Sequence, residues 1–88
     1  MMLNFPNQSR SFDERRHRVC FWGYDGPIEI SFYAEADALQ TLTADVGGTE
    51  AWCLKTFDAG VERIHAAASR AYKRGKGAYA FTLGVEDF

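Results

Sequence analysis

Five turn-forming residues, Gly23-Tyr24-Asp25-Gly26-Pro27, separate two runs of the sequence that are rich in β-branched and aromatic residues. The runs cover residues 18–22 and 28–33, and this composition is typical of β-strands. Two strands joined by so short a connection pair side by side in opposite directions. The sequence therefore predicts a β-hairpin, and this hairpin restricts the fold more than any other feature.

Apolar positions on one face of the hairpin determine the predicted register. The predicted pairs are Val19 with Phe32, Phe21 with Ile30 and Gly23 with Ile28. Pro27 has no N–H group, so it cannot donate the hydrogen bond that closes a two-residue turn with Asp25 and Gly26 at its centre. A four-residue loop from Tyr24 to Pro27 keeps the same pairing without that donor, and we expect this loop.

Two helical regions are predicted after the hairpin. Residues 35–42 form helix readily and carry two acids in the first turn, and residues 45–48 then make a loop. Thr49 is predicted to be the N-cap of a longer helix over residues 50–74, which has an apolar stripe at spacings of three and four. The stripe consists of Leu54, Phe57, Val61, Ile64, Ala68 and Ala71. Gly60 either kinks this helix or divides it into two.

The last part of the chain predicts a third strand and completes the fold class. Tyr79, Phe81 and Leu83 alternate with small residues, as in a strand. The order strand-strand-helix-helix-strand predicts an α+β fold with an antiparallel three-stranded sheet and helices packed on one face. We expect residues 1–88 to form a single domain, with residues 1–15 as an irregular segment that packs on the body through Phe5 and Phe12.

Cysteine usage and hydropathy predict a cytoplasmic chain. Cys20 and Cys53 form no CxxC motif, and we interpret both as reduced residues in a reducing compartment. The sequence does not begin with a basic region followed by an apolar stretch, so we expect no signal peptide. No uncharged run approaches the ~18 apolar residues that a membrane span requires. We therefore expect no membrane association.

Several short elements along the chain match the pattern of a known family. They are Phe5-Pro6, Val19, Phe21, Ala38-Leu39, Phe57, Arg63-Ile64, Arg70, Tyr72 and the final Asp87-Phe88. In this order they make the chain resemble the short bacterial proteins grouped as domain-of-unknown-function family 1488. The resemblance implies a small α+β fold in the bacterial cytoplasm, and it implies no activity.

The two cysteines and two histidines do not form a zinc site in the predicted fold. His17 and Cys20 are three residues apart on a strand, which places them on opposite faces. Cys53 and His65 lie about 18 Å apart along a helix. The ligands of one zinc ion all lie within about 2.3 Å of it. We therefore expect no metal and no cofactor.

The usual arrangements of catalytic and phosphate-binding residues are absent from the sequence. No Gly-x-Ser-x-Gly motif occurs, and no spacing brings His65 to Cys20. Residues 47–49 precede a helix but lack the lysine of a Walker loop, and Glu50 places negative charge where a phosphate would bind. We therefore predict no catalytic residues and a protein that is not an enzyme.

Nucleic-acid binding is an alternative function that the basic residues suggest. The candidate patch consists of Arg15, Arg16, Arg18, Lys73, Arg74 and Lys76. Convergence of these side chains beside Trp22 and Tyr72 would combine positive charge with stacking surfaces. Cations in the last turn of a helix are, however, ordinary capping electrostatics, and the chain as a whole has an acidic balance.

The second face of the hairpin carries the aromatic residues Trp22, Tyr24 and Tyr33. Either the N-terminal segment covers this face through Phe5 or Phe12, or the three aromatics form an interaction surface, since tryptophan and tyrosine are favoured at interfaces. The apolar stripe of the long helix could instead pair with the same helix of a second copy. A chain of 88 residues has a thin core. We therefore expect a non-enzymatic interaction or accessory module, binding an unknown protein partner or forming a homodimer.

Overall fold

The computed structural model describes residues 3–6, 9–75 and 77–88. The elements in chain order are β1 (Leu3–Asn4), β2 (Arg10–Asp13), β3 (Arg18–Asp25), β4 (Ile28–Glu35), α1 (Ala36–Gln40), α2 (Glu50–Ala59), α3 (Val61–Arg74), β5 (Ala80–Leu83) and a 3₁₀ turn, Val85–Asp87. β3 and β4 form the centre of the sheet, with β1 and β2 beside β3 and with β5 beside β4. The helices pack on one face of this sheet, so the predicted α+β class is confirmed.

The register of the hairpin differs from the predicted register by two residues. The observed pairs are Val19 with Ala34, Phe21 with Phe32, Gly23 with Ile30 and Asp25 with Ile28. Gly26 has a φ of +60°, as the first central position of a type II′ turn requires, and the fixed φ of Pro27 suits the second. The residue that donates the closing hydrogen bond of this turn is Ile28, and its backbone has an N–H group. The predicted four-residue loop is therefore wrong, but an even shift leaves every side chain on its predicted face.

Two short strands lie within the first fifteen residues, where we expected an irregular segment. β1 pairs with the last two residues of β3, and β2 pairs with the first four. Phe12 packs against the core, and the ring of Phe5 stacks on that of His65 with 3.8 Å between centroids. The backbone is extended here because the outer edge of β3 offers N–H and C=O groups that require partners.

Gly60 divides the long helical region into α2 and α3. It is the C-cap residue of α2 and the N-cap residue of α3, with a φ of −107°. The predicted N-cap Thr49 is confirmed, because its hydroxyl accepts a hydrogen bond of 3.1 Å from the Trp52 N–H. The apolar stripe faces the sheet, and Phe57 and Ile64 are at most 2% exposed. The stripe is used in the core of its own chain, so it is not available for pairing with a second helix.

The sheet differs from the predicted three antiparallel strands, since it has five strands and β5 runs parallel to β4. Three helices lie between these two strands in the sequence. A helical crossover of this kind carries the chain back to the end of the sheet where β4 began, so the next strand in the same sheet is parallel.

Three phenylalanine rings form the centre of the core between the sheet and the helices. The centroid of Phe21 lies 5.3 Å from that of Phe32 and 5.1 Å from that of Phe57. These separations are typical of packed aromatic pairs. All three side chains are at most 2% exposed. The rings join both central strands to α2, and they fill the helix-facing side of the sheet.

Asp87 fastens the last turn of the chain to α3. Its Oδ1 accepts a hydrogen bond of 3.0 Å from Arg74, and its backbone carbonyl accepts one of 2.9 Å from Arg70. Its Oδ2 accepts the backbone N–H of Gly84 at 2.8 Å. Two basic side chains of α3 are therefore hydrogen-bonded to the last turn of the same chain.

A buried carboxylate joins the hairpin to α3. Asp25 is 7% exposed and accepts a hydrogen bond of 2.6 Å from the hydroxyl of Tyr72. This bond raises the pKa of the Tyr72 phenol, because only the neutral hydroxyl can donate it. The hydrogen bond supplies the partner that a buried carboxylate requires.

Acidification should weaken the fold through His65. Its ring packs against Phe5 and lies 5.9 Å from Phe21 between centroids, and desolvation lowers its pKa below the ordinary 6.5. The unfolded chain then binds more protons than the folded chain, so the free energy of unfolding should fall as the pH drops below about 6.5. The variant His65→Phe should show a smaller fall between about pH 7.5 and about pH 5.5 in urea denaturation. An equal pH dependence in parent and variant would contradict this prediction.

Candidate interaction surface

The helices leave one side of the sheet bare among the residues that the structure describes. Along β3 the buried residues Val19, Phe21 and Gly23 alternate with half-buried residues that point to the other side. We name that other side the open face. It consists of Asn4, Ser11, Asp13, Arg18, Cys20, Trp22, Tyr24, Glu29, Ser31, Tyr33, Glu35, Ala80 and Thr82.

Strand register arranges the open face in four rows that run across the strands. The first row is Asp13, Arg18 and Glu35, the second Ser11, Cys20, Tyr33 and Thr82, the third Trp22, Ser31 and Ala80, and the fourth Asn4, Tyr24 and Glu29. Every charged side chain of the face lies in the first or the fourth row. The two middle rows are uncharged and contain Trp22 and Tyr33. An uncharged centre with aromatic residues and a polar rim is the composition of a protein interface.

The structure brings the three predicted aromatic residues together. Trp22 and Tyr24 follow one another on the open side of β3, and Trp22 pairs with Ser31, which places Tyr33 diagonally beside it. The Tyr24 hydroxyl donates a hydrogen bond of 2.9 Å to Glu29, and this bond raises the pKa of Tyr24. All three aromatic side chains are half-buried. Their rings therefore lie against neighbouring side chains and give the face a closely packed surface.

Arg18 is held on the open face by two neighbours. Its Nε donates a hydrogen bond of 3.2 Å to the carboxylate of Asp13, and its guanidinium lies 3.8 Å from the centroid of the Tyr33 ring. A cation at this distance over an aromatic ring is attracted to it. The backbone N–H of Arg16 and then Arg18 hold the pKa of Asp13 below its ordinary value. The side chains of the first row are thus held in place by contacts within the chain.

Neither phenylalanine of the N-terminal segment covers Trp22, which excludes one of the two sequence-based interpretations. Phe12 pairs with Val19 across β2 and β3, so its side chain points to the helix side. Phe5 packs on that side too, against Phe21 and His65. Alternation in Ser11-Phe12-Asp13 is the sequence signal that could have placed Phe12 there.

No thiol–imidazole pair forms around Cys20. Desolvation is the main cause that raises the pKa of its thiol, which disfavours the nucleophilic thiolate. His65 lies on the helix side of the sheet against Phe5 and Phe21, away from Cys20 on the open face. In the described part of the chain, no three His, Cys, Asp or Glu side chains form a group that could hold a metal ion.

The structure does not gather the predicted basic patch on one surface. Arg15 and Arg16 lie in the turn between β2 and β3, and Arg18 lies on the open face. Lys73 and Arg74 end α3 on the opposite side of the sheet. Lys76 lies outside the described residues. The sheet therefore separates Arg18 from the basic residues of α3.

Five strands with helices on one side define a small α+β domain with a one-sided sheet. A family model described as a protein of unknown function, DUF1488, matches residues 3–83, and the chain belongs to this family. The chain is similar to a crystal structure of a protein of unknown function from the same family, from Shewanella loihica PV-4. The TM-score is 0.76 at 16% sequence identity, with 92% of this chain and 90% of that chain covered. No curated protein matches the chain.

The comparisons therefore confirm the family and the α+β fold class that the sequence suggested. At 16% sequence identity, the similarity to the crystal structure shows a shared fold and nothing about function. The helices among the described residues include none that is long and apolar enough to cross a membrane.

Proposed function

We propose that this chain is a non-enzymatic protein-interaction module that self-associates through the open face. The observation that supports this function is the uncharged centre of that face, where Trp22 and Tyr33 lie on a sheet surface that no described element covers. Tryptophan and tyrosine contribute most strongly to binding when an interface surrounds them and excludes water. The two free thiols, Cys20 and Cys53, suit the reducing cytoplasm of a bacterial cell as the place of action.

A second copy of the chain is the occupant that fits the open face best. Four strand positions about 4.8 Å apart and four rows about 6.8 Å apart give an area on the order of 500 Å² per copy. Two such faces reach the lower end of specific interfaces, so we expect a dimer that dissociates on dilution. Two sheets that stack face to face bury their side chains in a layer about 10 Å thick.

The two copies are related by a two-fold axis in the plane of the sheet and perpendicular to the strands. This axis places the first row of one copy over the fourth row of the other, and the second row over the third. Arg18 then lies over Tyr24 and beside Glu29 of the second copy, whereas Glu35 lies over Glu29. Opposite and like charges therefore both meet at the rim, and the uncharged rows supply the attraction.

Trp22→Ala should shift the protein from dimer to monomer. The substitution removes the largest side chain from the uncharged centre of the face, and truncation of a central tryptophan typically weakens an interface by about 2 kcal/mol or more. Light scattering after size-exclusion chromatography over a range of concentrations measures the mass. Val46→Ser removes a side chain that is 93% exposed and lies away from the open face, so it should leave the mass unchanged. A parent protein that is monomeric at every concentration would overturn the proposal.

Nucleic-acid binding remains the alternative, and the open face disfavours it. Arg18 is its only basic side chain, and it already contacts Asp13 and Tyr33. Glu29 and Glu35 add negative charge that would repel phosphates. We expect no retention on single-stranded DNA or RNA at about 50 mM salt, where electrostatic binding is strong. Retention that falls steeply with salt would support the alternative.

A further inference from the structure

The outer edge of β5 presents unpaired backbone groups. β5 ends the sheet, and no strand lies beyond it in the described ranges. The Ser31 N–H donates a hydrogen bond of 2.9 Å to the Tyr79 carbonyl, and the register pairs Ser31 with Ala80. Backbone groups alternate in direction along a strand, so those of Phe81 also point to β4. The N–H and C=O groups of Ala80 and Thr82 therefore point away from the sheet.

Charge, proline and bulges are devices that protect an edge strand, and all three are absent here, so the short length of β5 is the protection that remains. Residues 77–84 contain no charged residue and no proline. The pairing of β5 with β4 continues without a bulge from Ala80 to Leu83. Ala80 and Thr82 are exposed, and the side chain of Tyr79 is 62% exposed. A short, uncharged edge with free backbone groups is a template for pairing with another strand.

We propose that β5 pairs in antiparallel register with β5 of a second copy, about a two-fold axis at Phe81. Ala80 of each copy then lies opposite Thr82 of the other, and the two residues exchange both of their N–H···O bonds. This register uses all the outward backbone groups of Ala80 and Thr82 and leaves none over. A second copy is the occupant because residues 77–84 carry no charge, so two identical edges do not repel each other, and the outward groups of Ala80 match those of Thr82 when the edge pairs with itself.

The pairing goes beyond the proposed function, because it uses the backbone groups of Ala80 and Thr82 and requires neither Trp22 nor the side chains of the open face. Its two-fold axis is perpendicular to the sheet, so the open faces of the two copies lie on the same side and form one continuous surface. The axis of the face-to-face dimer lies in the plane of the sheet. Both axes pass through the level of Phe81, between the second and the third row, and two perpendicular two-fold axes that intersect generate a closed tetramer. The two interfaces together therefore predict a tetramer, and either one alone predicts a dimer.

Amide hydrogen exchange resolved by residue tests the edge directly. The Phe81 amide points into the sheet and should be protected at every concentration. The amides of Ala80 and Thr82 should exchange freely in dilute protein, and their exchange should slow by at least about tenfold as the protein is concentrated. Free exchange of both amides at all concentrations would overturn the proposal.

Thr82→Pro provides the matching variant. It removes an N–H that points away from the sheet, so the monomer should keep its fold, since proline is tolerated at such edge positions. Thr82→Val keeps the N–H and, like the proline variant, removes the hydroxyl from the open face, so it is the control for any effect of the Thr82 side chain on the face-to-face contact. The proline variant should lose the edge contact and the valine variant should keep it, as measured by mass and by the exchange of the Ala80 amide.

The two proposals fail in distinguishable ways. If both hold, Trp22→Ala and Thr82→Pro each convert the tetramer to a dimer, and the double variant is monomeric. A mass that Thr82→Pro leaves unchanged but Trp22→Ala lowers would overturn the edge pairing alone. The reverse result would overturn the open-face contact alone. Protection of Ala80 and Thr82 only after an unrelated extended peptide is added would show that the edge accepts a foreign strand, and would also overturn pairing between copies.

Discussion

Replacing Phe21 by alanine should lower the free energy of unfolding by about 3–5 kcal/mol, because a large buried ring is removed and a cavity remains. Phe21 is 2% exposed and contacts the rings of Phe32, Phe57 and His65. A domain of this size is stable by only about 5–10 kcal/mol in total. The alanine variant should therefore unfold at a much lower urea concentration than the parent.

Two variants give the controls for this loss. Phe21→Leu keeps most of the apolar volume and should cost no more than about 1.5 kcal/mol. Trp22→Ala changes the next residue in the chain, but on the open face. When measured in monomer at low concentration, its effect on stability should be well below that of Phe21→Ala. Equal losses for the two alanine variants would contradict the assignment of one face to the core and the other to contacts.

Alternation within the hairpin was predictable because it depends only on which residues are apolar. The even shift in register left Val19 and Phe21 on the core face and Trp22 on the other. The register itself depends on the turn, where the critical fact is which residue supplies the closing N–H. When Gly26 and Pro27 are the two central residues of the turn, Ile28 donates the closing N–H, and the fixed φ of proline suits its position.

Long-range pairing was the part of the fold that local patterns did not determine. β1 and β2 are two and four residues long, and alternation over so few positions can indicate which side a residue such as Phe12 faces but does not identify a strand or its partner. Their formation depends on the free edge of β3, which is a property of the assembled sheet. The direction of β5 also depends on the assembled fold, because a connection that contains helices can lead to either a parallel or an antiparallel strand.

The same distinction applies to the candidate surface. Grouping Trp22, Tyr24 and Tyr33 required only alternation and the hairpin, and the structure places them together. The arrangement in rows required β2 and β5, which supply Ser11, Thr82 and Ala80 to the uncharged centre. The predicted patch of basic residues depended on how distant segments converge, which local patterns do not determine. Arg18 lies on the open face, the sheet lies between it and α3, and Arg74 is hydrogen-bonded to Asp87.

Gly75→Ala should destabilise the protein by about 1–3 kcal/mol, the range for overpacking in a well-packed site. A methyl group on Gly75 would overlap Cε1 of the Phe81 ring. Phe81 is itself fixed, since its ring centroid lies 5.6 Å from that of Phe32 and 6.0 Å from that of Tyr72. The φ of Gly75 is −101°, so glycine is not required here for a left-handed backbone. Steric overlap with Phe81 is therefore the cause of the expected loss that can be tested by changing Phe81.

A double-mutant cycle with Phe81→Leu isolates that overlap. The smaller side chain leaves room for the methyl group, so Gly75→Ala should then be neutral or should stabilise by up to about 1 kcal/mol, because alanine restricts the unfolded chain. Urea denaturation of the parent, the two single variants and the double variant gives the coupling between the two positions. We expect a coupling of at least about 1 kcal/mol. If Gly75→Ala costs the same in both backgrounds, then contact with Phe81 is not the reason for glycine at the end of α3.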